Sequence, residues 1–435
     1  MGKSICILVV ALQLAGCSQV ATLRQGGSPI SPISRVRNHI VQSGGGSLWV
    51  TITPPPPNGQ TMGITLGPDG NMWFTQVGEQ ENPSLVGYID MSGAVKEFSL
   101  GARHYPGEIT TGSDRALWFT DQVAIGRITT SGIITEYPIP KPTSFVFGIT
   151  TGSDGNVWFT DPKNDSVGKI TPQGVITEYK VPSGDGGRGI YGITDGPDGN
   201  VWFTTNLKGG KIGSISPTGH FRFFNIPTPN SNTETIALGG DGNLYFTEEF
   251  VSKIGEITRY GKITEYPVPS PDDHPYEIVK GYSGSSMWFA DVNPNSATLQ
   301  LRQFIIRSKT FTPPILPPYS TAGLGFMHAG PDGNMWVTDE TPGVGNVLVS
   351  ITHVLTTIPA SVQISGVGQT QTVQIHETQN KGGTYTATSS DQSIATVGPV
   401  SQTNSFVVTA QGVGSCTIRV SDSIGNYIDI PATVQ

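Results

Sequence analysis

The sequence predicts an all-β chain: a seven-bladed β-propeller closed by an N-terminal strand, then a C-terminal β-sandwich. Three observations predict it. A phrase, fullest as Gly63-Ile64-Thr65-Leu66-Gly67-Pro68-Asp69-Gly70-Asn71-Met72-Trp73-Phe74-Thr75, occurs seven times. Its anchor aromatics Trp73, Trp118, Trp158, Trp202, Tyr245, Trp288 and Trp336 stand 40 to 48 residues apart. Strand-like phrases at that period mark a propeller with one four-stranded blade per repeat. The 56 Gly and 33 Pro among 435 residues are too many for a helical protein, and no long stretch carries an apolar period of 3.6 residues. After Thr356 the texture changes: no further Trp occurs, and short alternating segments follow one another.

Four segments are expected in order. Residues 1–17 read as an export signal, because Met1-Gly2-Lys3 is positive and the apolar run from Ile5 to Leu14 is too short to span a bilayer. Leu14-Ala15-Gly16-Cys17 resembles a bacterial lipobox. That resemblance implies cleavage before Cys17, lipidation of its thiol, and an exported chain lipid-anchored in the cell envelope or at the cell surface. The membrane would be met through this lipid alone. Residues 18–46, rich in Ser, Gly, Gln and Pro, read as a flexible linker. The propeller is expected over 47–353 and the second unit over 356–435.

Each repeat holds four strands. In the third copy Gly148-Ile149-Thr150-Thr151 is the first, and Asp154-Gly155 supplies the positive φ of a tight hairpin. Val157-Trp158-Phe159-Thr160 is the second. Trp158 and Phe159 are successive and so point to opposite faces, as expected of a blade sandwiched between neighbours. Val167-Gly168-Lys169-Ile170-Thr171 is the third, and Ile176-Thr177-Glu178-Tyr179 the polar outer strand, guarded by Pro182. The last repeat offers only three strands. Leu48-Trp49-Val50-Thr51-Ile52-Thr53-Pro54 has the texture of Ile134-Thr135-Glu136-Tyr137-Pro138 and is expected to complete it. The copy around Trp288 is the least regular, with Ser283-Gly284-Ser285-Ser286 in place of the Asp-Gly turn.

The tail alternates over Ser361-Val362-Gln363-Ile364, 370–375, Ile394-Ala395-Thr396-Val397, 406–410 and 416–420. Thr388-Ser389-Ser390-Asp391 and Thr409-Ala410-Gln411-Gly412-Val413-Gly414 carry a resemblance to bacterial immunoglobulin-like domains of surface proteins. With Cys6 and Cys17 assigned to the leader, only Cys416 remains, expected as a core thiol with no disulfide. A net charge of −8 with 13% charged residues argues against a nucleic-acid partner. The seven His show no zinc-motif spacing, and a monomer is expected.

The phrase Gly-Ile-Thr-x-Gly-Pro-Asp-Gly-Asn-x-Trp-Phe-Thr, then Ile125-Gly126-Arg127-Ile128-Thr129, then Ile134-Thr135-Glu136-Tyr137-Pro138-Ile139-Pro140, resembles the virginiamycin B lyase (streptogramin lyase) propeller family. That resemblance implies elimination that opens a cyclic depsipeptide, with a histidine base and a Mg²⁺ held by glutamates. Such chemistry needs a base beside the ester carbonyl and a cation to absorb enolate charge. In the family these groups stand in two columns on one face. One is a Glu-Pro-His-Gly-Ile pattern at the start of the first strand, the other the residue after Trp-Phe-Thr.

The first column reads Met62, Gly107, Phe147, Tyr191, Glu234, Tyr276 and, less certainly aligned, Gly325, with no histidine. The second reads Gln76, Asp121, Asp161, Thr205, Glu248, Ala290 and Asp339. Glu248 alone repeats the Trp-Phe-Thr-Glu ending, and His274 stands two places early. Two readings follow. The first is an exported recognition protein binding a small-molecule, glycan or peptide ligand through His104, Tyr191, Arg188, Glu234 and Tyr276. The second is a Mg²⁺-dependent carbon–oxygen lyase with a site rebuilt from Glu234, Glu248 and His274, Glu248 as metal ligand with Glu234 as a second metal-leaning carboxylate and His274 as a displaced base. The alternative for Glu248 and Glu249 is a pair of solvated loop carboxylates, and for Phe147 packing around the channel. A purely structural role stays open beside these two.

Overall fold

The structure, a computed structural model, describes residues 39–42, 48–52 and 59–435, apart from 79–81, 92, 142–143, 183–188, 207–209, 294–297, 317–323, 340–346, 352–354, 360, 378–383, 402–403 and 422–426. Cys17 and Arg188 lie outside these residues. The described part is nearly all β, with one short 3-10 turn at Glu249–Val251.

Seven antiparallel sheets follow one another along the chain. They are named here blade 1 (59–101), blade 2 (106–138), blade 3 (149–180), blade 4 (190–225), blade 5 (236–267), blade 6 (274–311) and blade 7 (324–351). Within blades 1–6 each strand pairs with the next in sequence. Blade 7 is completed from the N-terminus: Leu48–Ile52 pairs antiparallel with Val347–Ile351, Trp49 opposite Ser350. A further strand, His39–Gln42, pairs with Leu48–Ile52. The end of the segment expected as linker is therefore sheet, in keeping with the β-branched Ile40 and Val41 it carries.

The repeated phrase builds the interfaces between blades. In blades 1–4 the Trp of one blade packs with the Phe of the next: Trp73 with Phe119, Trp118 with Phe159, Trp158 with Phe203, Trp202 with Phe246. Tyr245 then meets Phe289, Trp288 meets Val337, and Trp336 closes the ring on Phe74 of blade 1. Each aromatic side chain removed from water contributes on the order of 2–3 kcal/mol, so the ring rests on these seven contacts.

The polar letters of the phrase also have structural work. The Asp of the Asp-Gly turn accepts the indole N–H four residues on, as Asp154 does from Trp158 at 3.0 Å and Asp198 from Trp202 at 2.9 Å. The same carboxylate caps the turn by accepting the Asn156 backbone N–H and side-chain amide. These carboxylates are thereby committed, which explains the recurrence of the turn without a metal. The Thr of Trp-Phe-Thr stitches blades together. Thr160 Oγ1 accepts the Gly148 N–H at 2.9 Å and donates to the Tyr191 carbonyl of blade 4 at 2.9 Å. Thr75 and Thr204 repeat the stitch to Gly107 and Glu234. Glycine is required beside it: a Cβ at Gly148 would lie 2.5 Å from the Tyr191 carbonyl oxygen.

Residues 355–434 form two four-stranded sheets that share one apolar core, with Val373 and Phe406 from one sheet and Val362, Ile418 and Ile430 from the other. Cys416 is half-buried and packs on that core as a free thiol.

Candidate functional site

First strands begin and second strands end at one rim of the propeller, as the register shows: Pro106 pairs with Asp121, Ile190 with Thr205, and Pro275 with Asp291. The last pairing corrects the second column. Asp291, not Ala290, heads it in blade 6, because Ala290 holds the Thr place of the phrase.

Much of the second column is structural. Asp121 Oδ1 accepts the Tyr105 N–H at 2.7 Å and Asp161 Oδ1 the Phe145 N–H at 3.1 Å, so each pins the loop arriving from the preceding blade. Asp291 is fully buried and bound through Oδ2 to Arg302 at 2.9 Å, while Arg302 also reaches Asp273 at 2.6 Å. Burial pushes the Asp291 carboxyl up to about 7 against the pull of that guanidinium.

Glu248 does not join His274. It is fully buried at the end of its strand, with Lys253 and Glu265 as its charged neighbours. Burial pushes it up to about 8; Ser231 lies beside it and eases that shift without reaching hydrogen-bond geometry. The alternation of a β-strand sends Glu248 to the side of Phe246, toward blade 4. Its neighbour Glu249, at the start of the 3-10 turn, lies on the other side, against Asn232 and His274. The alternative of two solvated carboxylates therefore fails for both residues.

Glu234, Glu249 and His274 are brought together instead. The Glu234 carboxyl donates to the Glu249 carboxylate, and burial, then the Glu249 charge, holds Glu234 well above the usual range. Glu249 also accepts from the Asn232 side-chain amide and faces His274 Nδ1 at 3.7 Å. Burial raises Glu249 as well. Phe250 stands 60% exposed beside this group, its ring centroid 6.3 Å from that of His274. The result is a half-buried acidic cluster with one imidazole and an exposed aromatic face.

The aromatic column sits elsewhere. Phe147 meets Tyr191 edge-on at 5.5 Å and Phe326 of blade 7 at 6.4 Å, so these rings pack across the middle of the ring of blades. The packing reading of Phe147 fits. Tyr276 packs on the core between blades 6 and 7. His104 lies on blade 2 against Asp121 and Glu136, apart from the blade 5–6 cluster.

Asn232, Asp291 and Arg302 escaped the sequence reading as site residues, and Glu249 entered it only as a solvated loop carboxylate. The one available signal for Arg302 was a charged residue inside the apolar third strand Leu299-Gln300-Leu301-Arg302-Gln303-Phe304. For Glu249 nothing in the Glu-Glu doublet told which member would turn outward.

The virginiamycin B lyase family profile matches residues 37–187 and 184–394. The chain belongs to the virginiamycin B lyase family. A streptogramin B lyase structure is similar at 31% identity and TM-score 0.61, covering 69% of this chain and 97% of that one. A catalytically inactive histidine-to-alanine variant of virginiamycin B lyase from Staphylococcus aureus, with quinupristin, is similar at 29% identity and TM-score 0.59, over 69% of this chain and 98% of that one. Virginiamycin B lyase from Nocardia farcinica (strain IFM 10152) is 30% identical over 78 residues, 18% of this chain and only 28% of that protein.

Against the family's Glu-Pro-His-Gly-Ile pattern, blade 6 carries His274-Pro275-Tyr276-Glu277-Ile278, opposite Asp291. Tyr276 takes the place of the histidine. The family's Mg²⁺ would need free carboxylate oxygens there. The guanidinium of Arg302, bound to Asp273 and Asp291, already puts a fixed positive charge at that spot. These residues do not fit the ion.

Proposed function

We propose that this protein is an exported, lipid-anchored propeller of the envelope that binds an extracellular glycan or peptide at the rim of blades 5 and 6. The observation that carries this reading is the exchange in blade 6. Tyr276 holds the first-column place in blade 6, where the family pattern has histidine, and Arg302, bound to Asp291 Oδ2 and to Asp273, puts a fixed positive charge where a metal would sit. What remains at the rim suits recognition: the Asn232 amide, the Glu249 carboxylate and the His274 imidazole offer directional hydrogen bonds, and Phe250 offers an exposed ring for stacking. Glycan and peptide arrays probed with the full chain test it. Binding lost in Glu249→Ala and Phe250→Ala is the expected result; a signal that survives both moves the site off this rim.

Elimination has one observation in its favour. His274 faces Glu249, and a carboxylate-oriented imidazole can take a proton. Incubation with streptogramin B and Mg²⁺, followed by mass spectrometry of the intact ring, separates the two readings. No ring opening is expected. Opening that disappears in His274→Ala would replace the binding reading with a rebuilt lyase.

A further inference from the structure

Blades 1, 2, 3 and 5 carry a glutamate at one place of the outer strand: Glu97, Glu136, Glu178 and Glu265 each pair with a glycine of the third strand. In blades 2 and 5 this glutamate comes near the last residue of the second strand, Glu136 near Asp121 and Glu265 near Glu248, so two acids share a pocket there. The blades differ in how that charge is met. In blade 3, Lys141 reaches Glu178 at 3.4 Å. In blade 5, Lys253 reaches Glu265 at 2.7 Å with Glu248 beside it. In blade 6 a comparable pair, Asp273 and Asp291, holds Arg302 between its members. Blade 1 has the neutral Gln76, and its lone Glu97 is pushed by burial up to about 7.

Blade 2 is the exception. Asp121 and Glu136 face one another, and among the described residues no Lys or Arg pairs with either. Ala124 pairs with Asp121 as Lys253 pairs with Glu248. The blade thus lacks the built-in cation that blades 3, 5 and 6 have. In its place stands His104, whose Nδ1 lies 2.5 Å from Asp121 Oδ2 and 3.4 Å from Glu136 Oε1.

We propose that blade 2 binds a divalent transition-metal ion, Zn²⁺ being the probe of choice, through His104 Nδ1, Asp121 Oδ2 and Glu136 Oε1. The three donor atoms all lie within 4.8 Å of one another. Zinc bonds of about 2.0–2.2 Å in tetrahedral geometry need donors roughly 3.3 Å apart. The His104–Glu136 pair already stands so, and the His104–Asp121 pair must open by less than about 1 Å. Second contacts hold the donors in place. Ser84 Oγ donates to the His104 carbonyl at 2.5 Å, and Asp121 uses its other oxygen on the Tyr105 N–H. Glu136 is 38% exposed, which leaves an open side for water or a ligand atom. One imidazole nitrogen with two carboxylates selects zinc-like ions over Mg²⁺, which prefers an all-oxygen shell. This site is independent of the blade 5–6 cluster.

Isothermal titration of the full chain with ZnCl₂ at pH 7.5 tests the proposal. One site is expected, weakened at least tenfold in His104→Ala and in Glu136→Gln. Ala124→Lys should have the same effect, because it supplies the ammonium that blade 5 carries, and its thermal unfolding should stay cooperative. His220→Ala, an exposed histidine on a blade 4 turn, should leave zinc binding unchanged. Absence of zinc binding, or binding insensitive to His104→Ala and Ala124→Lys, would overturn it and leave His104 as the pocket's only counter-ion.

Discussion

In blade 3 the Trp158 indole donates to Asp154 at 3.0 Å, and Thr160 passes a hydrogen bond to Tyr191 of blade 4 at 2.9 Å. In blade 6 the corresponding turn holds Ser283, which offers no carboxylate, and Ala290 offers no hydroxyl. Blade 6 instead buries Asp273, Asp291 and Arg302 in one ion network. The same aromatic packing thus survives with the polar stitching removed. Burial of the large side chains carries the architecture, while the polar letters adjust it. That tolerance is what lets the blade 5–6 rim diverge from the family pattern without loss of the scaffold.

The comparison breaks most visibly at Arg302. Its removal in Arg302→Met leaves the buried Asp273 and Asp291 without their positive counter-charge and should cost about 3–5 kcal/mol in denaturant unfolding. Loss of the exposed blade 3 pair in Lys180→Met should cost less than about 1 kcal/mol. A smaller cost than this for Arg302 would mean that blade 6 does not depend on its network.

Blade 5 adds a pH signature. Glu248 is pushed up to about 8, chiefly by burial. An unfolded glutamate ionises near 4.3, so between those values the folded state binds more protons and stability falls as pH rises. The contribution is complete below the unfolded value and is lost as pH passes through the folded one. The slope due to this group is at most about 1.4 kcal/mol per pH unit. Glu248→Gln should flatten that share of the decline between pH 5 and 8. Unfolding curves that keep the wild-type slope would show that Glu248 is ionised in the fold.

Asp154→Ala removes the acceptor of a buried indole and of the turn, so a loss of about 1–3 kcal/mol is expected. Ser283→Ala, at the irregular turn, should stay within about 0.5 kcal/mol. The smallest effect separates the two kinds of stitch. Thr160→Val should cost about 1 kcal/mol, and Ala290→Thr should change stability by no more than that in either direction. Equal losses at Asp154 and Ser283 would erase the distinction between the blades.

The repeated phrase made the blades, their turns and the borrowed strand Leu48–Ile52 legible, because alternation and turn chemistry act over a few residues. The strand His39–Gln42 was hidden in a Ser/Gly-rich stretch, where composition outweighed two β-branched residues. The candidate site was half legible. Glu234 and His274 were found from their columns, but Glu248 was taken for the functional member of its doublet. What distinguishes the two is tertiary: Glu248 is buried within the blade while other loops bring Asn232 and His274 to Glu249, and no local signal announces it.

By itself the sequence determined what depends on local periodicity: the all-β class, the blade phrase, the aromatic that faces each neighbour, and the missing histidine at the first strands. Tertiary structure decided which charges meet. Arg302 with Asp273 and Asp291, Glu249 with His274, and His104 with Asp121 and Glu136 are separated by up to 32 residues in the chain. Electrostatic contacts depend on distance and burial in the folded ring, and those are set by how one blade's loop lies across the next.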